Sequence, residues 1–387
     1  MIHLFVNALA ASAGGGLTYI RNVVPQLESR SDVRTTLLVN SEVRHEFASL
    51  TRTDVIDTPV SAGSAARFLF EQRTLRDVVR SCGADVLLAT GNFALQKSPV
   101  PQILLSRNAL YTCADFFQDL RQRHEYWMWL DTKLKARLAR KSIQTAESTV
   151  APSEAFAREL REWTGKEVVA IHHGFDAEAF QSDSAPLRAD LNDKLNSTEP
   201  GFRLLFVSHY NYYRNFETLI RAMARVVSAP AAKRVRLFLT CKLRNEDNPG
   251  SYRAERAAKL VNDLGLRSSI VELGTVPYSQ LHHIYRACDT YVTPAYCESF
   301  AHPLVEAMSS GLPIIASDIP VHREICQEAA VYFPSFSEKV LSERILHLLT
   351  SADQRQALQS VGRARVQAFS WQRHVDQIVA LASQLHR

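Results

Sequence analysis

The 387-residue sequence predicts an α/β protein made of two tandem Rossmann-like, doubly wound parallel-sheet domains with a cleft between them. Three observations predict it. Apolar runs of strand length alternate with helix-period segments from end to end, as parallel strands joined by helical crossovers do. A polar stretch at residues 181–200, QSDSAPLRADLNDKLNSTEP, interrupts that alternation, which then restarts. The length suits two domains that each bury a core, and the composition is globular, 46% hydrophobic and 22% charged. The expected division is an N-terminal domain at 1–180, a linker at 181–200 with or without a short helix, and a C-terminal domain at 201–370.

In chain order, IHLFVNAL (2–9) reads as the first strand. The turn with Gly14, Gly15 and Gly16 follows, then the helical segment LTYIRNVVPQLESR. RTTLLVN, ADVLLAT (84–90), VPQILLS (ending at Ser106), ESTVAPS and EVVAIHHG supply further strands. The second half repeats the scheme with FRLLFVS (202–208), VRLFLTC, SSIVELG, DTYVTPA and LPIIAS. The first apolar run is short and lacks a preceding basic region, so it reads as a strand rather than a signal peptide. No apolar run reaches the roughly 18 to 20 residues of a membrane span, which favours a soluble or peripheral protein. The six cysteines form no CxxC pair, which argues against a zinc ribbon or redox motif and fits a reducing, cytoplasmic setting. A formal charge of +5 suits an anionic small ligand or a membrane surface and is too weak to argue for nucleic acid.

The chemistry concentrates in CESFAHPLVEAMSSGLPIIAS, which begins at Cys297. Glu298 and Glu306 stand eight positions apart around Pro303. Proline is favoured at the first helical position, so PLVEAMSSG reads as a helix from Pro303 to near Gly311. Glu306 then falls in the first turn and Glu298 in the preceding loop, on two sides of a helix N-terminus. The backbone of Ser299, Phe300, Ala301 and His302 opens that helix and can donate to phosphate. The carboxylates would face hydroxyl-rich groups instead. Phosphates with sugar hydroxyls on either side describe a nucleotide sugar. Taken singly, Glu306 is equally a dipole-complementing glutamate and Glu298 a loop charge; the combination is what favours a ligand clamp.

ESFAHPLVEAMSSGLPIIASDIPVHREI resembles the signature of retaining glycosyltransferases of family 4, which have the GT-B fold. The resemblance covers most of the chain, and is strong from Ser208 to about Arg323. It implies that Glu306 binds the nucleotide ribose, that Glu298 contacts the donor hexose, and that the 300–302 backbone meets the donor phosphates. In FVSHYNYYRNFETLIRAM, His209 and Arg214 match positions that grip the diphosphate, with arginine where the family usually has lysine. Gly15 and Gly16 match a glycine-rich loop of the N-terminal domain. Base contacts are implied at the backbone of Thr275 and Val276. Arg107 and Asn108 stand where relatives often place a donor-touching histidine, and His173 where asparagine is usual, so these three are candidates on the acceptor or donor-sugar side. Ala301 and His302 depart from the usual glycine and aliphatic residue. The last helix, about 371–387, is implied to return to the N-terminal domain.

The resulting expectation is a retaining, metal-independent hexosyltransferase. It would carry sugar from a nucleotide diphosphate sugar to a glycan or lipid-linked acceptor, in cell-surface polysaccharide or glycolipid biosynthesis. Arg214, Glu298 and His209 would be catalytic, with no cofactor, no metal site and no nucleic-acid partner. Residues 121–141, RQRHEYWMWLDTKLKARLARK, hold aromatics and seven Lys or Arg, Arg121 first and Lys141 last, against two acidic residues. They read equally as a helix meeting the inner face of the membrane and as a solvated amphipathic helix with a buried Trp pair. A sugar-nucleotide epimerase or phosphorylase of the same fold, and a non-catalytic nucleotide-sugar binder, remain alternatives. The nucleobase (UDP, GDP, dTDP or ADP), sugar, acceptor and oligomeric state are not specified by these residues.

Overall fold

The computed structural model describes residues 1–387 apart from 13, 60–62, 183–184, 198–199 and 249–250. The chain divides into two units, each organised by one wholly parallel sheet.

The first unit comprises Met1–Cys113, Leu120–Gly174 and Phe369–Arg387. Its strands are β1 (Ile2–Asn7), β2 (Val33–Asn40), β3 (Thr53–Thr58), β4 (Val86–Ala89), β5 (Gln102–Leu105), β6 (Ser148–Ala151) and β7 (Val169–Ala170), in the order β3-β2-β1-β4-β5-β6-β7. β1 is buried at all six positions, as a central parallel strand covered on both faces must be. The three glycines form the first turn of the helix Gly14–Glu28 rather than a loop ahead of it. Gly14 has φ +58°, which suits a residue without Cβ. That helix packs Tyr19, Ile20, Val23, Val24 and Leu27 into one core with β1 and the helix Trp371–Leu385, which contributes Trp371, Val375, Ile378, Val379 and Ala382. Ser370 caps the latter by accepting from the Arg373 amide. Gly174 ends this unit, and a Cβ there would lie 2.0 Å from the Trp371 nitrogen, so only glycine fits the approach.

The second unit is Phe175–Ala368 with Ala114–Asp119. Its strands β8 (Arg203–Phe206), β9 (Arg236–Leu239), β10 (Ile270–Glu272), β11 (Thr290–Thr293), β12 (Ile314–Ser317) and β13 (Ala330–Phe333) are ordered β10-β9-β8-β11-β12-β13. In both sheets the order reverses beside the first strand, at β1/β4 and at β8/β11, leaving a crevice beyond the strand ends.

Two expectations are corrected. The stretch 181–200 is not a free linker: it lies inside the second unit, and its helix Ala189–Asn196 buries Leu191 and Leu195 (residues 183–184 and 198–199 lie outside the described residues). Leu191 and Leu195 are one helical turn apart, which is enough apolar surface to dock a short helix. The stretch 121–141 is not one helix. It breaks at His124, φ +59°, between the helices Ala114–Gln122 and Tyr126–Thr145. Its tryptophans are not a buried pair either: Trp127 is 85% exposed and Trp129 half-buried. Among the described residues no helix is long and apolar enough to cross a membrane.

Candidate functional site

The second unit's site forms where the chain leaves β8 and β11, the two strands at its switch point. After β8 the chain makes a short 3-10 turn, Tyr212–Arg214, and Asn215 then adopts a left-handed conformation, φ 56°, ψ 46°, before the helix Phe216–Ser228. Asparagine tolerates that region better than most residues. Its side chain also ties the two loops together: Asn215 Nδ2 donates to the Pro294 carbonyl at 3.1 Å and its Oδ1 accepts from Thr218 Oγ1 at 2.7 Å. The Tyr296 amide donates to the Tyr213 carbonyl at 3.0 Å.

This bracing brings Arg214 to Glu298, with Arg214 NH1 donating to Glu298 Oε1. Both side chains are largely buried, and the Arg214 guanidinium lies 5.1 Å from the centre of the Tyr213 ring. Burial raises the Glu298 pKa above the usual carboxylate range, and Arg214 offsets part of that rise. Burial opposes the Arg214 charge, but Glu298 and Tyr213 outweigh it and hold the guanidinium more firmly protonated than usual. Arg214 Nε is buried without a hydrogen-bond partner among the described residues. His209 is exposed at the same loop, and partial desolvation and the Arg214 charge both lower its pKa.

The helix of the glutamate motif is His302–Ser309, one residue longer at its start than the sequence reading, with Pro303 in its first turn. Glu306 is therefore not in the first turn. It lies in the second, 5% exposed, and accepts from the Tyr285 hydroxyl at 2.8 Å through Oε2. Burial lifts its pKa from 4.5 to about 7, against the pull of that hydrogen bond. Tyr285 comes from the helix Leu281–Arg286 and also reaches the Pro303 carbonyl at 3.3 Å. Tyr291 of β11 lies within electrostatic range of Arg214, Glu306 and Glu298, so the three charges share one environment. Ser299 and His302 are half-buried, Phe300 is buried, and the Phe300 and His302 rings lie 4.8 Å apart. Ala301, just before the helix, is left-handed at φ 67°, ψ 62°. Glycine, which has no Cβ, would relax that conformation. Thr275 is exposed and Val276 half-buried in the loop after β10.

In the first unit Arg107 follows β5 and is held by carbonyls: its guanidinium donates to Thr90 O at 2.8 Å and Gly15 O at 3.3 Å. It also sits 5.0 Å from the centre of the Tyr19 ring. Gly15 and Arg107 are thus brought together, and Gly16 lies against Ala11. Asn108 caps the short turn Ala109–Tyr111 by accepting from the Leu110 amide. His173 is 4% exposed inside an aromatic cluster with Tyr19, Trp371 and His374, which places it in the packing between the ends of this unit. Among the described residues no three His, Cys, Asp or Glu side chains converge as for a metal ion.

Residue-by-residue reading missed Tyr285, Tyr291 and His322. The apolar face of LHHIYR, with Leu281 and Ile284 buried beside Tyr285, was the available signal for the first. His322 is fully buried; its Nδ1 donates to the Ser317 carbonyl at 3.0 Å, and desolvation pushes its pKa down to about 4.

The family model described as Glycosyl transferases group 1 matches residues 188–365, and that described as Glycosyltransferase Family 4 matches 13–179. Among curated proteins, the D-inositol 3-phosphate glycosyltransferase of Nocardia farcinica is 28% identical over 181 residues, 46% of this chain and 39% of that one. O-antigen chain mannosyltransferase B of Escherichia coli is 31% identical over 107 residues, 28% of each chain. The chain thus spans well under two thirds of the length of these relatives. Sucrose-phosphate synthase of Thermosynechococcus elongatus superposes with TM-score 0.74 at 20% identity, covering 100% of this chain and 99% of that one. Anabaena HepE in complex with UDP-glucose gives 0.72 at 16%, covering 99% and 100%. Both sheets have the Rossmann-like architecture of these GT-B structures, and with family sequence matched in each half, the chain belongs to the group 1 glycosyltransferases of family 4.

Proposed function

We propose that the chain transfers a hexosyl unit from a nucleotide diphosphate sugar to a glycan or lipid-linked acceptor, with retention of configuration and without a metal. The observation that carries this reading is the buried Arg214–Glu298 pair beside buried Glu306 at the β8/β11 switch point. Arg214 supplies fixed positive charge where the diphosphate leaving group gathers negative charge as the anomeric C–O bond breaks, and the backbone of 299–302 adds donors at a helix N-terminus. Glu298 holds Arg214 in place and faces the hexose hydroxyls, Glu306 takes the ribose hydroxyls, and His209 lines the phosphate side. Thr275 and Val276 lie along the base. Gly15, Gly16, Arg107 and Asn108 serve the sugar or acceptor, and His173 supports them by packing. The O-antigen chain mannosyltransferases among the curated relatives support a setting in cell-surface polysaccharide assembly.

Membrane contact belongs to the same reading. The helix Tyr126–Thr145 turns Trp127, Leu130 and Leu134 outward, 85%, 51% and 56% exposed, with Arg137 and Lys141 one and two turns on. Exposed apolar side chains in line with cations suit an anionic lipid surface.

The test is transfer or donor hydrolysis across a panel of UDP-, GDP-, dTDP- and ADP-sugars. Arg214→Ala should lower kcat about 100- to 1,000-fold, the scale of losing one preorganised oxyanion donor. Full activity in that variant removes the mechanism, an epimerised donor favours the epimerase alternative, and nucleotide binding without turnover favours the non-catalytic one.

A further inference from the structure

A cavity of about 250 Å³ lies at the carboxyl ends of β1, β4 and β5 in the first unit, at that sheet's own switch point. Its lining carries three cationic side chains, Arg67, Arg107 and Lys135, and no carboxylate. Asn92, Thr90, Tyr111 and backbone at Gly16 and Gly91 complete the polar wall.

The three cations are held in different ways. The Arg107 guanidinium donates to carbonyl oxygens and lies against the face of Tyr19, contacts that orient it. Lys135 is balanced by Asp131 at 2.7 Å. Arg67, on the helix Ser64–Phe70, has no ion-pair or side-chain hydrogen-bond partner among the described residues, although the buried carboxyl of Glu71 lies within its electrostatic range. A concave wall bearing like charges, with one guanidinium unbridged, concentrates anions. Guanidinium forks match the oxygens of phosphate and carboxylate. The volume is just below the usual small-molecule range, which begins at about 300 Å³, so it has room for one charged sugar or a phosphate group rather than an extended glycan.

We propose that this cavity is an anion site and that the acceptor is a sugar bearing a phosphate or carboxylate, held there by Arg67 and Arg107. The anion site stands on the cavity alone, whereas its assignment to the acceptor rests on the transferase reading.

Isothermal titration of the full chain with glucose 6-phosphate, glucuronate and glucose tests it. At least one anionic sugar should bind 10-fold or more tighter than glucose, and Arg67→Gln or Arg67→Glu should weaken that binding about 10- to 100-fold, the scale of losing a hydrogen bond to a charged group. Preference for the first ligand alone assigns phosphate, and for the second alone carboxylate. Far-UV circular dichroism and thermal unfolding of the same variants check that the first unit, which carries Arg67, still folds, and the affinity for UDP or its counterpart, a property of the second unit, should be unchanged. Equal binding of charged and neutral sugars overturns the proposal, as does a preference that survives in both Arg67 variants with UDP binding intact. Absence of binding by the parent chain to every one of UDP, GDP, dTDP and ADP would instead sink the transferase reading, leaving the anion result to be judged separately.

Discussion

Replacing Glu306 by glutamine should make the protein more stable and a poorer binder of nucleotide. Glu306 is 5% exposed, and its pKa rises from 4.5 to about 7 on folding because burial disfavours its charge. A folded-state pKa above the unfolded one means the native state holds the proton more tightly. The associated stability is complete below pH 4.5 and is lost as pH rises through about 7. The loss amounts to about 3 kcal/mol at 1.36 kcal/mol per pH unit. Glutamine mimics the protonated acid and keeps an oxygen to accept from Tyr285, whose hydroxyl now lies 2.8 Å from Oε2. The stability difference between variant and parent should therefore be near zero at pH 4.5 and reach about 3 kcal/mol by pH 8, read from urea unfolding of the second unit. Nucleotide affinity moves the other way. A carboxylate accepting hydroxyl hydrogen bonds is worth about 1.5–3 kcal/mol, so Glu306→Gln should weaken UDP or its counterpart about 10- to 100-fold at pH 8. The parent's affinity should climb with pH through about 7 while the variant's stays flat. A variant that is less stable at pH 8, or that binds nucleotide as well as the parent there, refutes the assignment of Glu306 as a buried carboxylate kept for a ligand.

Removing Glu298 alone strands a buried guanidinium, so Glu298→Ala should cost about 3 kcal/mol in unfolding free energy, and Arg214→Ala/Glu298→Ala together should cost less than the single change. A double-mutant cycle showing additivity would contradict the pairing. Ala301→Gly relieves a left-handed alanine, a gain partly offset by the freer unfolded chain, and should stabilise the second unit by about 0.5 kcal/mol in denaturant titration. Trp127→Glu should cut co-sedimentation with vesicles containing phosphatidylglycerol at least 10-fold while leaving nucleotide affinity unchanged; equal retention by neutral and anionic vesicles would count against the charge-assisted contact.

What the sequence makes legible depends on range. Strand-length apolar runs betray parallel sheets because a strand such as β1 is buried on both faces and has no polar side to conceal. Arg214 is legible because it sits at a fixed distance from a strand end and a helix start. Its partner Glu298 lies 84 residues away, and no local pattern announces that two surface-like charges will meet in the interior. Glu306 is misplaced by one residue, just past the first turn instead of at its end, because Pro303 suggests a start that His302 anticipates, and its burial depends on Tyr285, 21 residues earlier. The break at His124 escapes notice because its positive φ is carried by a residue that is not glycine. Leu191 and Leu195 already carry the pattern that removes 181–200 from the linkers.

The helix Trp371–Leu385 has a consequence for the order in which the protein is made. It completes the core around β1, and the Tyr19 hydroxyl donates to His374 Nε2 at 2.9 Å across 355 residues of sequence. The His374 ring can accept because burial pushes its pKa down to about 4 while Nδ1 donates to the His172 carbonyl. On the ribosome, β1 through Gly174 must wait for all of Phe175–Ala368 to be translated before this helix emerges, a delay on the order of tens of seconds. The second unit, apart from Ala114–Asp119, is contiguous and can close during that interval. The half synthesised first is thus the half finished last, with an open groove beside Tyr19 that nascent-chain chaperones would be expected to shield.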